Sequence, residues 1–150
     1  MKNLKEFKEI LFVTGTLEIG GTEKHLSLIL PELVKKNFVV SIFIIGSPGA
    51  LAPLIKQSGV KVYVPLGIKT IEKFPKKIKT VLLVMSSLLT LKFIIFKKKP
   101  HILHMFLPLS YLVGGLAVKF SKTPFTIMSR RSRNHYMTKH KISKYIELYL

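Results

Sequence analysis

The sequence predicts a doubly wound, mostly parallel α/β sheet of the Rossmann-like kind, and three observations predict it. Short runs of β-branched and aromatic residues recur five times and alternate with segments of helical apolar spacing. The runs are continuously apolar rather than alternating, as strands covered on both faces are. Turn formers end them, with paired glycines after the first.

Residues 10–13, Ile-Leu-Phe-Val, read as the first strand, running into Thr14-Gly15. From Glu23 the apolar positions Leu26, Ile29, Leu30 and Leu33 keep helical spacing, and Lys35-Lys36-Asn37 closes the helix with positive charge and a turn former. Pro31 lies inside that segment, where a missing N–H and a ring clash predict a bend or a later start. Residues 39–45 form the second strand, stopped by Gly46-Ser47-Pro48-Gly49. A short helix over 50–57 ends near Gly59, and residues 60–64 make the third strand, closed by Pro65. A loop reaches Pro75, and a long helix covers 76–96. The fourth strand is 102–105, entered from Lys99-Pro100. A helix over 110–120 carries Gly114-Gly115, suited to close packing on a sheet, and residues 125–128 are the fifth strand. A basic loop over 130–141 and the start of a further helix over 142–150 complete the chain.

Length and composition bound the rest. At 150 residues and 48% hydrophobic content the chain suits one domain with a substantial core. It has no cysteine, which excludes disulfides, thiolate chemistry and cysteine-ligated metal centres. The formal charge of +18, from 25 Lys plus Arg against 7 Asp plus Glu, makes polyanions the natural partners: nucleic acid, anionic lipid or phosphorylated substrate. The charged N-terminus and the brief apolar stretch after it do not make a signal-peptide core. The apolar run over 81–96 contains Lys92 and falls short of the ~20 residues of a spanning helix. With lysine clusters at both ends, the 76–99 segment suits an anionic membrane surface on which lysine stems snorkel. A core helix with solvated ends is the competing reading.

In open α/β sheets ligands bind at the carboxyl ends of the strands, near the point where strand order reverses. The loop Gly15-Thr16-Leu17-Glu18-Ile19-Gly20-Gly21-Thr22-Glu23 lies there, and its glycines allow backbone to approach a ligand at a helix N-terminus. A tight turn with nothing bound fits the same residues. The P-loop pattern is matched by Gly15, Gly20 and Thr22, but Gly21 stands where the phosphate-binding lysine belongs. The dinucleotide fingerprint fails on glycine spacing.

An apolar strand followed by Gly20-Gly21-Thr22-Glu23 opening the first helix resembles the N-terminal domain of the family 4 glycosyltransferases of GT-B fold. Phe38-Val39-Val40-Ser41, Pro100-His101-Ile102-Leu103-His104 and Lys122-Thr123-Pro124-Phe125 fall where that family has similar elements, so the resemblance spans essentially the whole chain. Ser129-Arg130-Arg131 resembles the loop after the fifth strand in one subgroup. Where many relatives carry a histidine this chain has Ser129, so no catalytic histidine is carried over there. The resemblance implies transfer of a sugar, with retention at the anomeric carbon, from a nucleotide-sugar donor to a lipid-linked or glycan acceptor in envelope polysaccharide or glycolipid assembly. It implies no metal and no cofactor besides the donor substrate. Gly20, Gly21, Thr22 and Glu23 would face the donor diphosphate or the acceptor. Residues 1–150 would be the acceptor-side half, incomplete at its C-terminal end, with the donor-binding domain absent and the chain alone inactive. A cytoplasmic location fits this reading, and the lysine-flanked 76–99 segment would place the chain peripherally on the inner membrane face.

His104, at the carboxyl end of the fourth strand, is an acceptor-side candidate, with a structural hydrogen-bonded histidine as the blander alternative. Ser129, Arg130 and Arg131 are acceptor-side candidates as well, guanidinium groups being able to fork onto phosphate oxygens, as against a solvated basic loop. Glu23 can also act on its own helix, as a negative charge at the positive end. His25, one turn into the first helix, reads as structural or partly exposed. No histidine pair has helical metal spacing. The competing function is a basic, non-enzymatic module for anionic lipid or nucleic acid. No zinc-finger, RNP or helix-turn-helix signature accompanies the charge, so no specific nucleic acid is expected.

Overall fold

The computed structural model describes residues 9–119, 121, 123 and 125–129. Its elements run β1 (Glu9–Thr14), α1 (Gly21–Lys35), β2 (Val39–Ile44), α2 (Ala52–Gln57), β3 (Lys61–Tyr63), α3 (Ile68–Ile71), α4 (Lys76–Lys98), β4 (Ile102–Phe106), α5 (Pro108–Val118) and β5 (Phe125–Ser129). All five strands are parallel, in the spatial order β3-β2-β1-β4-β5. The Rossmann-like α/β sheet that the alternation predicted is therefore present, with its strand order reversing between β1 and β4.

Strand periodicity sorts the core into two layers. Ile10 and Phe12 of β1, with Val40, Ile42 and Ile44 of β2, point to the side covered by Leu26 and Leu30 of α1 and Ile55 of α2. Leu11, Val13, Phe43, Leu103 and Met105 point to the other side, against Leu91, Ile94 and Ile95 of α4 and Tyr111, Val113 and Ala117 of α5. Both faces of the central strands are buried, which is why their sequence shows no polar alternation. Gly114 allows α5 to come close: a Cβ there would run into the Met105 side chain.

Several boundaries differ from the sequence expectation. Helix α1 begins at Gly21, two residues before Glu23, and runs through Pro31 to Lys35 without interruption. The proline removes one donor, but it lies only partly buried in a helix whose Leu26 and Leu30 are locked in the core, and that packing outweighs the local penalty. Strand β3 is shorter than expected, and the loop before α4 contains the single turn α3. Helix α5 starts two residues early, because Pro108 sits at its first turn, where no N–H is needed.

Candidate functional site

The carboxyl edge of the sheet gathers the β1–α1, β2–α2, β3–α3 and β4–α5 connections. The first two are tied together by backbone bonds. Ile45 N–H donates to the Thr14 carbonyl at 3.0 Å, Gly46 N–H to Gly15 at 2.8 Å and Leu51 N–H to Leu17 at 3.0 Å. The Thr16 hydroxyl donates to the Ser47 carbonyl at 3.2 Å and accepts from Glu18 N–H at 3.2 Å. Gly49, at φ 73°, packs so tightly that a Cβ would strike the Leu17 and Glu18 backbone. The loop before α1 is thus a braced turn, held by its neighbour.

At its end Gly20 is the N-cap, in extended conformation, and Gly21, Thr22 and Glu23 form the first turn. The first helical bond runs from Lys24 N–H to the Gly20 carbonyl at 2.9 Å, so the N–H groups of Gly21, Thr22 and Glu23 precede the intrahelical ladder. Glu23 is buried, and its carboxylate folds back over Gly20, where an added Cβ would collide with it. The positive end of the helix therefore already carries a negative charge of its own. Gly21 is different: it is exposed, and a Cβ would meet nothing within 4 Å. Backbone at Gly21 is the open part of this turn.

The second half of the edge is built by β4, β5 and α5. His104 points to the α1 side of the sheet, its ring 5.3 Å from that of Phe12 and 4.4 Å from that of Phe106. Its Nε2 shares a 2.6 Å hydrogen bond with Ser129 Oγ, and the Tyr111 hydroxyl donates to the Ser129 carbonyl at 2.7 Å. Two of the acceptor-side candidates, His104 and Ser129, are thus brought together across the β4–β5 pair. The histidine is in the fourth strand, as expected, two residues short of its end, with the Phe12 and Phe106 rings beside it on the sheet face. Arg130 and Arg131 lie outside the described residues.

His104 also lines a hollow of about 180 Å³ with His25, Leu26, Phe12, Phe106 and Ile127. The hollow lies beside the first turns of α1, four residues on from Gly21, so both groups of candidates border one region. His25, read from sequence as structural or partly exposed, shares it with His104. Its place one turn into the first helix carries no chemistry by itself. Tyr111 was not singled out in the sequence, since nothing local tells that its hydroxyl reaches β5.

At the reversal point itself, Thr14 and Ser110 are fully buried hydroxyls, and Ser110 Oγ has no hydrogen-bond partner among the described residues. Leu107, the N-cap of α5, takes φ 74° and ψ 152°, a region costing an L-residue about 1–3 kcal/mol. Strain of this kind concentrates where a binding loop must keep one shape. Among the described residues no group of three or more His, Asp or Glu side chains could hold a metal ion.

Comparison with known proteins bears on the fold. The chain resembles the crystal structure of CalG4, the calicheamicin glycosyltransferase, with a TM-score of 0.52 and 10% identity. The two share a Rossmann-like fold. The likeness covers 94% of this chain and 37% of CalG4, so the chain spans well under half the length of that enzyme. No family model matches, and no curated protein matches in sequence. At 10% identity the resemblance to CalG4 establishes architecture and carries no substrate across.

Proposed function

We propose that this chain is the acceptor-side, N-terminal domain of a GT-B glycosyltransferase of the family 4 kind, moving a sugar from a nucleotide sugar to a lipid-linked or glycan acceptor. The observation that carries the proposal is the fold shared with a glycosyltransferase over nearly the whole chain, with a glycine-opened helix start at the carboxyl edge where such sheets take ligands. In the transfer the anomeric carbon loses its bond to the diphosphate oxygen and gains one to an acceptor hydroxyl oxygen, whose proton passes to the departing diphosphate. Charge then builds on the departing diphosphate. The open backbone at Gly21, where the Glu23 carboxylate does not reach, and the general positive potential of a chain with formal charge +18 are suited to stabilise it. His104 and Ser129, held in one network with Tyr111, supply a polar floor beside α1 that can orient an acceptor hydroxyl. The acidic groups that would grip the donor sugar belong, on this reading, to a second domain outside these 150 residues.

The test uses the protein as its source cells make it, assayed for transfer of label from a panel of nucleotide sugars into lipid-linked and glycan acceptors. Gly21→Asp puts a carboxylate into open space at the start of α1, so the fold should tolerate it, whereas a diphosphate should be repelled. Transfer should fall about 100-fold, equivalent to about 2.7 kcal/mol of transition-state stabilisation, with an unchanged melting temperature. Undiminished transfer in Gly21→Asp removes the diphosphate role from this turn. The absence of transfer to any acceptor removes the enzymatic reading.

A further inference from the structure

Helix α4 packs in an unusual sense. The side against the sheet includes Ser87 and Thr90, both buried, along with Leu91, Ile94 and Ile95. Ser87 Oγ lies 3.5 Å from the Ile45 carbonyl, Thr90 Oγ1 accepts from Leu66 N–H at 3.1 Å, and the Ser86 hydroxyl donates to the Leu66 carbonyl at 2.6 Å. The opposite side faces out and is apolar apart from the exposed Lys92. Ile78, Val81, Met85, Leu89, Phe93 and Phe96 are all exposed, from 50% to 79%, and at 100° per residue they share an arc of about 120°.

This face has depth and charge as well as area. Between the C-terminal half of α4 and the end of α5 lies a cavity of about 490 Å³, with Leu89, Phe93, Phe96 and Ala117 in its walls and Lys92 and Lys99 among its lining. Lys97 Nζ stands 5.9 Å from the centre of the Phe93 ring. Residues 66–100 hold nine lysines and one acid, Glu72. Leu66 and Phe74, in the segment before α4, are exposed as well, and Lys69, Lys73, Lys76 and Lys77 accompany them in sequence. A large apolar stripe left in water costs free energy unless something covers it. Lysines along its borders favour a covering surface of negative charge.

We propose that the outer face of α4, together with the cavity against α5, is a docking surface for an anionic lipid bilayer. The helix lies along the bilayer plane with Leu89, Phe93 and Phe96 among the acyl chains, while Lys97 and Lys99 reach lipid phosphates. Its length and composition also pass for a membrane span. Leu91, Ile94 and Ile95 are nonetheless embedded in the core of the sheet, and crossing the bilayer would tear them out. The proposal stands apart from the sugar-transfer reading and uses none of its residues.

The chain has no tryptophan, so a single introduced one reports its own surroundings. Phe93→Trp on α4 and Leu28→Trp, exposed on α1 across the sheet, are each mixed with vesicles of phosphatidylcholine containing about one-third phosphatidylglycerol, and with pure phosphatidylcholine vesicles. A blue shift at position 93 with the mixed vesicles alone, and none at 28, is the expected result. Sedimentation with the same vesicles should be about tenfold weaker for Phe93→Gln/Phe96→Gln at an unchanged melting temperature. Equal shifts at both positions, or sedimentation indifferent to the glutamines, would mean unoriented attraction to charge and overturn the proposal. So would a position-93 shift that appears without lipid as the chain dimerises, or with single-stranded nucleic acid in place of vesicles.

Discussion

Gly49 and Gly21 are both loop glycines at the same edge of the sheet, and only their surroundings separate them. At φ 73° and against the Leu17 and Glu18 backbone, Gly49 meets two constraints at once, and neither partner is a side chain that can turn aside. Gly49→Ala should therefore lower the unfolding free energy by about 3 kcal/mol, read as a drop in the urea midpoint with little change in slope. A loss below about 0.5 kcal/mol would mean that the β1–α1 and β2–α2 turns are not locked as described. Gly21 has open space around it, which is why the diphosphate role is proposed for it. The sequence pointed to Gly20-Gly21 and could not separate them, because the obstacle at Gly20 is the Glu23 carboxylate folding back. That fold-back puts a negative charge against Gly20 and leaves Gly21 as the open backbone of the turn.

Helix α4 shows how an element can be recognised and its orientation missed. Length, apolar content and flanking lysines identified the helix, but Ser86, Ser87 and Thr90 interrupt what would otherwise be an obvious apolar face. Once each hydroxyl has a backbone partner, those positions are inexpensive to bury, and the apolar residues between them are left facing outward. The two sides should then differ sharply in energetic weight. Leu91→Ala, emptying a fully buried position, should destabilise by about 3 kcal/mol, whereas Leu89→Ala on the exposed side should change stability by less than about 0.5 kcal/mol. Thermal melts of the pair without lipid check this, and equal effects would reverse the assigned orientation. Pro31 in α1 makes the complementary point. Local propensity predicted a bend or a later start, and the helix instead begins early and continues through the proline, held by buried Leu26 and Leu30 before it and by Leu33 and Val34 packed on the same core after it.

The whole molecule carries far more positive charge than it neutralises. Lys35–Glu32, at 2.7 Å, is an exposed pair one helical turn apart, and the nearby lysines hold the Glu32 carboxyl below its ordinary range. A single exposed pair adds little. Repulsion spread over a formal charge of +18 weakens the compact state, and salt screens it. Raising sodium chloride from about 20 mM to about 0.5 M should thus raise the melting temperature by several degrees, while weakening attachment to anionic vesicles. A fall in melting temperature over that range would mean that attractive pairs dominate.

The α/β class, the parallel strands and the loops gathered at the carboxyl edge of the sheet were all determined by the sequence alone. Continuous apolar runs, helical spacing and glycine turns are local signals, and each is set by residues a few positions apart. What the tertiary structure decided is which side chains meet. The His104–Ser129–Tyr111 network joins residues 18 to 25 positions apart. His25 shares a hollow with His104, and the apolar side of α4 faces away from the sheet. Each depends on the β4–β5 register or on how a helix is rotated about its axis against the sheet. Those choices come from packing the whole core at once, and no short stretch of sequence encodes them.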